Sequence, residues 1–464
     1  MKCILSAGTA LIALATCPLL AAAETPDPAL QDVIIVTGHR TTTATDTALL
    51  PEAAPMDGMD ITRLIARTPG AARIGNGEMS GQMQYRGLFG PRLNLRIDGH
   101  SFASGGPNLM DPALHYAPTP LVAAVHIDRG ISPVSEGPGI GGGADAVFKK
   151  TDYANSSEAT LGYDLMIGGR TVNDSLSTGG IIGASTDTWR ANLLGAYEEG
   201  GDTAYKDGTI GGSEFQRSIQ GLSTGLRTDL GEFSLDWRRH NTGFSGNPPF
   251  GMDIRFVDTD VVKASYEKSF GDILIEASAS YTDAAHGMNT YDLRPAMMRR
   301  EALAYAITRK ADISATFPAF GGRLQLGADT AEEDHNIHVV EPENLDNYVY
   351  SLPDIVIDRY GAFAEWTGTL GAFNAELGLR VDEYDGKGGT AIFGEDASMG
   401  QKMLAASYNA SDRRADATTV DAAARLWRPI TDDLTWRITL ARKPRAPFYL
   451  EWFQWLPSGS SAGL

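Results

Sequence analysis

Thioethers and imidazoles, not thiolates, are the soft donors that this chain can offer a metal. It carries 13 Met and 8 His but only 2 Cys, Cys3 and Cys17, both close to the N-terminus. On an extended segment alternate residues project to one side, so an imidazole and a thioether two positions apart, as in His286-Gly287-Met288, can share one ion. An imidazole beside a thioether suits Cu(I); the plainer alternative is that His286 and Met288 are ordinary inward-facing or loop residues. Met79, Met83, Met297, Met298, Met399 and Met403 are further thioethers that can capture or relay a soft ion, although Met is also a common gap filler. His335-Asn336-Ile337-His338, after Glu332, Glu333 and Asp334, offers donors for a harder ion such as zinc. Two His three residues apart converge only on a helix or tight turn, so a solvated loop is the plainer alternative there. A nucleophile elbow, an HExxH helix, a CxxC pair and a phosphate loop are all missing, and the Gly137 to Gly143 run lacks the Lys-Ser/Thr that a phosphate cradle needs. Transport or binding is therefore expected before catalysis.

Elements that position these donors come next. Met1-Lys2, an apolar run from Cys3 to Leu20 and Ala21-Ala22-Ala23 before Glu24 read as a secretory signal over residues 1–23. The run is barely long enough for a membrane anchor, the alternative use. Leu14-Ala15-Thr16-Cys17 resembles a lipoprotein cleavage site, but Thr16 and Pro18 fit it poorly. Cleavage after Ala23 leaves a mature chain with no disulfide and no thiolate. A formal charge of −19 and a pI near 4.8 repel polyanions, so no nucleic-acid partner is expected. After the signal, no apolar stretch reaches the ~20 residues that a membrane helix requires.

Residues 24–31 form a polar, Pro-containing lead-in. Asp32-Val33-Ile34-Ile35-Val36-Thr37-Gly38 follows as a β-branched strand with no local partner, and His39 to Ala54 is a Thr- and Ala-rich linker. From about residue 57 to 150 a compact unit is expected, with a helix at Ile61 to Ile65 stopped near Pro69-Gly70. Strands are expected at Leu93 to Ile97 and Val125 to Arg129, and a Gly-rich reversal before Val147. From Thr151 onward the pattern changes to runs of alternating apolar and polar residues separated by polar turns. Leu161, Tyr163, Leu165 and Ile167 make one such face, Ile273, Ile275, Ala277, Ala279 and Tyr281 another. Phe373, Ala375, Leu377, Leu379 and Val381 share a third, and Leu434, Trp436, Ile438 and Leu440 a fourth. A soluble β-sandwich alternates in the same way; aromatics near strand ends and long polar insertions on alternate connections favour a membrane barrel.

Several of these segments carry a family resemblance in order and spacing. Asp32 to Gly38 resembles a TonB box; Tyr85-Arg86-Gly87, Leu95-Arg96-Ile97-Asp98-Gly99 and Val125-His126-Ile127-Asp128-Arg129-Gly130 resemble plug signatures; Pro133 to Gly142 resembles the motif that closes the plug. Together they resemble the TonB-dependent outer-membrane receptors. The resemblance implies a mainly β fold: an N-terminal α+β plug domain inside a transmembrane antiparallel β-barrel. The segments then become a signal (1–23), box and linker (24–56), plug (57–150) and barrel (151–464). It also implies capture of Asp32, Val33, Ile34, Ile35, Val36 and Thr37 by TonB, with its inner-membrane energising complex, through strand addition; an ordinary first plug strand is the alternative. Outer-membrane lipid and a metal ion or metal chelate are the other implied partners.

Within that family, Gln84 to Asn94, Gly106-Pro107-Asn108-Leu109-Met110-Asp111 and Asp283 to Asn289 resemble the copper receptors. There a plug loop offers a Cys and, four positions later, a Met, and a barrel His-x-Met completes the site. Met110, His286 and Met288 match that pattern, while Gly106 stands where the Cys would be, so the thiolate is missing. Copper is thus expected as transported cargo, with no permanently bound cofactor; an iron-siderophore or other metal-chelate receptor, and a non-transporting or degenerate barrel, are the alternatives. Plugged barrels use about 22 strands of ~20 residues with their loops. Residues 151–464 hold only about 13 alternating runs, so a barrel truncated at its C-terminus is expected. Ala441 to Glu451 resembles a mid-barrel segment, and a terminal aromatic strand is missing.

Overall fold

Beyond Thr151 the alternating runs do form strands, and their two faces are reversed relative to a soluble protein. The structure, a computed structural model, describes residues 46–51, 58–75, 77–79, 81–101, 103–106, 109–431 and 434–457. The expected signal and Asp32 to Thr37 lie outside these residues. No helix among them is long and apolar enough to cross a membrane, which leaves strands as the only described elements that can.

The N-terminal part builds two small sheets. Strand β1 (Asp46–Leu49) precedes the short helix α1 (Ile61–Ile65), which starts where the Asp60 side chain accepts the Thr62 N–H, an N-cap. The strands β2 (Ala71–Gly75), β3 (Gly81–Tyr85) and β4 (Leu88–Phe89) form one sheet. In the other, β5 (Asn94–Ile97), β6 (Val122–Arg129) and β7 (Gly142–Phe148) join β1 in the order β1-β6-β7-β5. The helix and two of these strands were legible; β1 was not. It lies in the stretch read as a linker, and its partner Val125 to Asp128 is far along the chain, where local composition carries no sign of it. Gly142 sits at a positive φ of 83°, and a Cβ there would run into the Asp128 carbonyl, so β7 can begin inside the Gly run only because the residue has no side chain.

The second part is a single 13-stranded antiparallel sheet, the number of runs expected. In order it contains β8 (Thr160–Arg170), β9 (Ser175–Ser185) and β10 (Trp189–Gly200). A small hairpin, β11 (Thr203–Tyr205) and β12 (Gly208–Ile210), interrupts it. There follow β13 (Phe215–Thr228), β14 (Gly231–Thr242), β15 (Asp253–Phe270), β16 (Ile273–Asn289) and β17 (Glu301–Ala319). The last five are β18 (Gly322–Glu341), β19 (Asn344–Leu370), β20 (Phe373–Lys387), β21 (Arg414–Thr431) and β22 (Leu434–Arg442). Each pairs with its sequence neighbour in the sheet, and β8 and β22 are the two edges. Helix α2 (Met399–Ala410) lies between β20 and β21, and α3 (Tyr449–Phe453) follows β22.

Strand β20 decides between membrane barrel and sandwich. Leu377, Leu379 and Val381 are exposed on one side, while Glu376, Arg380 and Asp382 are buried on the other. Leu161, Tyr163, Leu165 and Ile167 of β8 are likewise 61–78% exposed. A sheet with apolar residues outward and charges inward is at rest only against lipid outside and polar groups inside.

The inward side is filled by the N-terminal unit, which bonds to strands all around the sheet. Lys149 pairs with Asp164 of β8 at 2.5 Å and Lys150 with Asp236 of β14 at 2.9 Å. Asp98 pairs with Arg238 of β14 at 2.5 Å, and its carbonyl accepts from Lys263 of β15. Ser135 donates to Glu365 of β19, and the Ile131 carbonyl accepts from Arg425 of β21. This is a plug held against the concave face of a curved wall.

Candidate functional site

Between β5 and β6 the plug sends a loop along the wall made by β15, β16 and β17. His100 meets Ser280 Oγ at 2.7 Å and Asp312 Oδ1 at 2.9 Å, Ser101 accepts from Lys310, and the Ala103 N–H donates to Thr308 Oγ1 at 3.1 Å. These contacts carry the loop to Gly105 and Gly106, which lie against His286 near the end of β16. A Cβ on Gly105 would come within 2.9 Å of the His286 Cβ, and one on Gly106 within 2.7 Å of Nδ1. The loop approaches this closely because both residues lack side chains.

Alternation on β16 turns Thr282, Ala284, His286 and Met288 to the buried side. Opposite His286 stand Val257 of β15 and Ala304 of β17; opposite Met288 stand Ile254 and Ala302. The two alanines keep the wall low there and leave the longer side chains of β16 standing over it. From the plug side come Met110 and Asp111, and Met110 belongs to the same apolar core as Met288. Met110, His286 and Met288 are 1%, 0% and 3% exposed; the link between plug and wall here runs from Asp111, next to Met110, to His286, two residues before Met288.

The residue that joins them was not singled out. Asp111 Oδ1 accepts from His286 Nδ1 at 3.0 Å and from Gly106 N–H at 2.7 Å; Oδ2 accepts from Gly105 N–H at 2.9 Å and from Tyr116 O–H at 2.6 Å. Burial pushes the Asp111 carboxyl up, but the His286 imidazole and the hydrogen bonds from His286 and Tyr116 outweigh it and hold the group below the ordinary carboxylate range. Nearby, burial and the Arg217 guanidinium push His115 down to about 3, and its Nε2 meets Thr242 Oγ1 at 3.0 Å. His286 Nε2, on the far side of its ring, is buried with no hydrogen-bond partner among the described residues. A sign of Asp111 was present in the sequence, next to Met110 and five residues from Gly106.

Among the other thioethers, Met79 and Met83 are buried in the plug, Met83 in the same apolar core as Met110 and Met288; Met297 and Met298 are exposed in the connection after β16, and Met399 and Met403 on α2. His335 and His338, read above as loop residues, lie on β18. His335 is buried and stacked on Tyr449 at 3.8 Å, whereas His338 stacks on Tyr350 at 5.2 Å. Three residues apart on a strand they face opposite sides and share no ion, and no cluster of three or more His, Cys, Asp or Glu suited to a metal occurs among the described residues.

Two further features border the junction. A cavity of about 800 Å3 lies between plug and wall, lined by Met83, His100, Leu109, Lys310, Asp312 and Glu333 among others. Beyond it the plug turn at Val134 to Glu136 docks on a buried ionic face: Arg380 with Asp382 at 2.6 Å and Asp329 at 2.8 Å, Arg359 with Asp382 at 2.7 Å, and Arg425 with Glu376. Arg96 of the plug meets Glu136 at 2.6 Å beside it.

Comparison with known proteins agrees with this architecture. The model of a family described as TonB dependent receptor-like, beta-barrel matches residues 151–463. Among solved structures, one titled copper transporter OprC is similar with a TM-score of 0.74 at 20% identity, covering 87% of this chain and 64% of that one. The unliganded ferric citrate transporter FecA is similar with a TM-score of 0.62 at 12% identity, covering 85% of this chain and 62% of that one. A hemophore receptor HasR of Serratia marcescens, solved with its hemophore HasA and heme, gives a TM-score of 0.66 at 16% identity over 87% of this chain and 64% of that one. The chain therefore spans less than two thirds of the length of each, and the likeness is one of fold. No curated protein matches it in sequence.

Proposed function

Because the chain belongs to the TonB-dependent receptor-like β-barrel family of the bacterial outer membrane, we propose that it serves TonB-energised import across that membrane and that its cargo is copper. The observation that carries the copper reading is the burial of two thioethers and an imidazole, Met110, Met288 and His286, at one junction of plug and wall. Thioether and imidazole donors are soft enough to prefer Cu(I), and a site without thiolate holds it more weakly and releases it more readily. Ligands drawn from both plug and wall also suit transport, since moving the plug withdraws Met110 and leaves His286 and Met288 behind. On this reading residues 57–150 act as the stopper, and Asp32 to Thr37 add as a strand to TonB, which pulls on it.

A metal-chelate cargo is the second reading. It is favoured by the cavity of about 800 Å3 beside the loop, which has room for more than a bare ion. Binding measured by competition between the protein and a Cu(I) chelator separates the two. Met288→Ala is expected to weaken Cu(I) binding by about tenfold or more, since it removes one of three donors. Equal affinity in Met288→Ala and the unaltered chain would reject the site.

A further inference from the structure

We propose, resting on the copper reading above, that Asp111 is a positioning residue: it fixes the tautomer and aim of His286 so that Nε2 faces the metal, and does not itself bind it. A carboxylate has about four acceptor positions, and here all are taken, by His286 Nδ1, Gly106 N–H, Gly105 N–H and Tyr116 O–H. None is left for an ion. An acceptor-only group facing Nδ1 requires a ring proton there, and in the neutral ring, the form that can ligate a metal, the lone pair is then on Nε2.

That nitrogen is fully buried and without a partner among the described residues. A buried acceptor with nothing to accept costs free energy, and a metal is the partner that removes the cost. A carboxylate behind a ligating imidazole is a recurrent way to orient the ring and raise its basicity. What is particular to this chain is the division of labour, because the ligand stands on the wall and the group that aims it stands on the plug.

Gly106 belongs to the same arrangement. A Cβ there would run into Asp111 Oδ1 and come within 2.7 Å of His286 Nδ1, so a side chain at 106 and the Asp111–His286 bond compete for one space. Absence of a side chain at this position therefore removes a possible donor and makes room for the carboxylate. Met110 and Asp111 are neighbours, so one displacement of the loop takes away a thioether and the orienting group together. Release of the ion is thereby tied to movement of the plug.

The test uses the whole chain folded in detergent, with Cu(I) partitioned against bicinchoninate and X-ray absorption spectra recorded on the copper-loaded protein. Asp111→Asn is expected to bind Cu(I) about 10- to 100-fold more weakly, with a smaller or more disordered imidazole contribution in the spectrum and sulfur scattering retained. Tyr116→Phe keeps the ring packing and frees one Oδ2 position; it is expected to weaken binding less, in the same spectral direction, and stands in if Asp111→Asn does not fold. Unchanged affinity and spectrum in either folded variant, while Met288→Ala loses affinity, overturns the positioning role and leaves the copper site standing. Oxygen scattering in the unaltered protein that vanishes in Asp111→Asn also overturns it, by making Asp111 a ligand. No Cu(I) binding by the unaltered protein sinks the copper reading and the positioning role together.

Discussion

Replacing His286 by Ala is expected to lower Cu(I) affinity by roughly a hundredfold or more, beyond the loss from disturbing a supporting group, while the barrel and plug still fold. Loss of the ring takes the only imidazole from the site and leaves two thioethers, a donor set too small and too weak to hold the ion against a chelator. The fold is expected to survive because Asp111 keeps three of its four donors, the N–H groups of Gly105 and Gly106 and the hydroxyl of Tyr116. Leaving one acceptor position unfilled costs about 1–3 kcal/mol, small beside the many other bonds between plug and wall. Chelator competition gives the affinity, and resistance of the unheated barrel to detergent gives the fold. A variant that is folded and binds as tightly as the original chain would contradict the assignment.

Arg425→Met is expected to destabilise the docked plug by about 3–5 kcal/mol. The Arg425 side chain is 0% and that of Glu376 2% exposed, so removal of the guanidinium leaves a carboxylate buried without its cation. It also strips the Ile131 carbonyl of a donor, and Ile131 belongs to the plug. The penalty comes from the stranded charge, so the double variant Arg425→Met/Glu376→Leu is expected to regain much of the loss. Thermal unfolding in detergent, followed with limited proteolysis of the plug, measures both. If the single and double variants melt together with the unaltered protein, the ionic face does not hold the plug.

Local rules carried the sequence a long way. The period of two in β8, β16, β20 and β22 marks the strands, and α1 announces itself through the run Ile61 to Ile65 and the following Pro69-Gly70. Which side faced lipid followed once the charges of β20 were placed inward. Pairings that span the chain were not legible, because no short window contains both partners. Strand β1 joins β6 across about eighty residues, Asp111 meets His286 at a separation of 175, and Arg425 meets Ile131 at 294. Met110, His286 and Met288 could be named beforehand only through resemblance to copper receptors, since nothing in spacing alone brings residue 110 to residue 286. His335 and His338 were misplaced for the opposite reason: their polar surroundings read as a solvated loop, and they stand on β18, which sets them on opposite faces.

Anomalous diffraction at the copper absorption edge, from crystals of the protein loaded with Cu(I), tests the central claim most directly. A strong peak enclosed by the sulfur atoms of Met110 and Met288 and by His286 Nε2 is the expected result. An empty junction, with copper found instead at the exposed methionines 297, 298, 399 and 403, would contradict it.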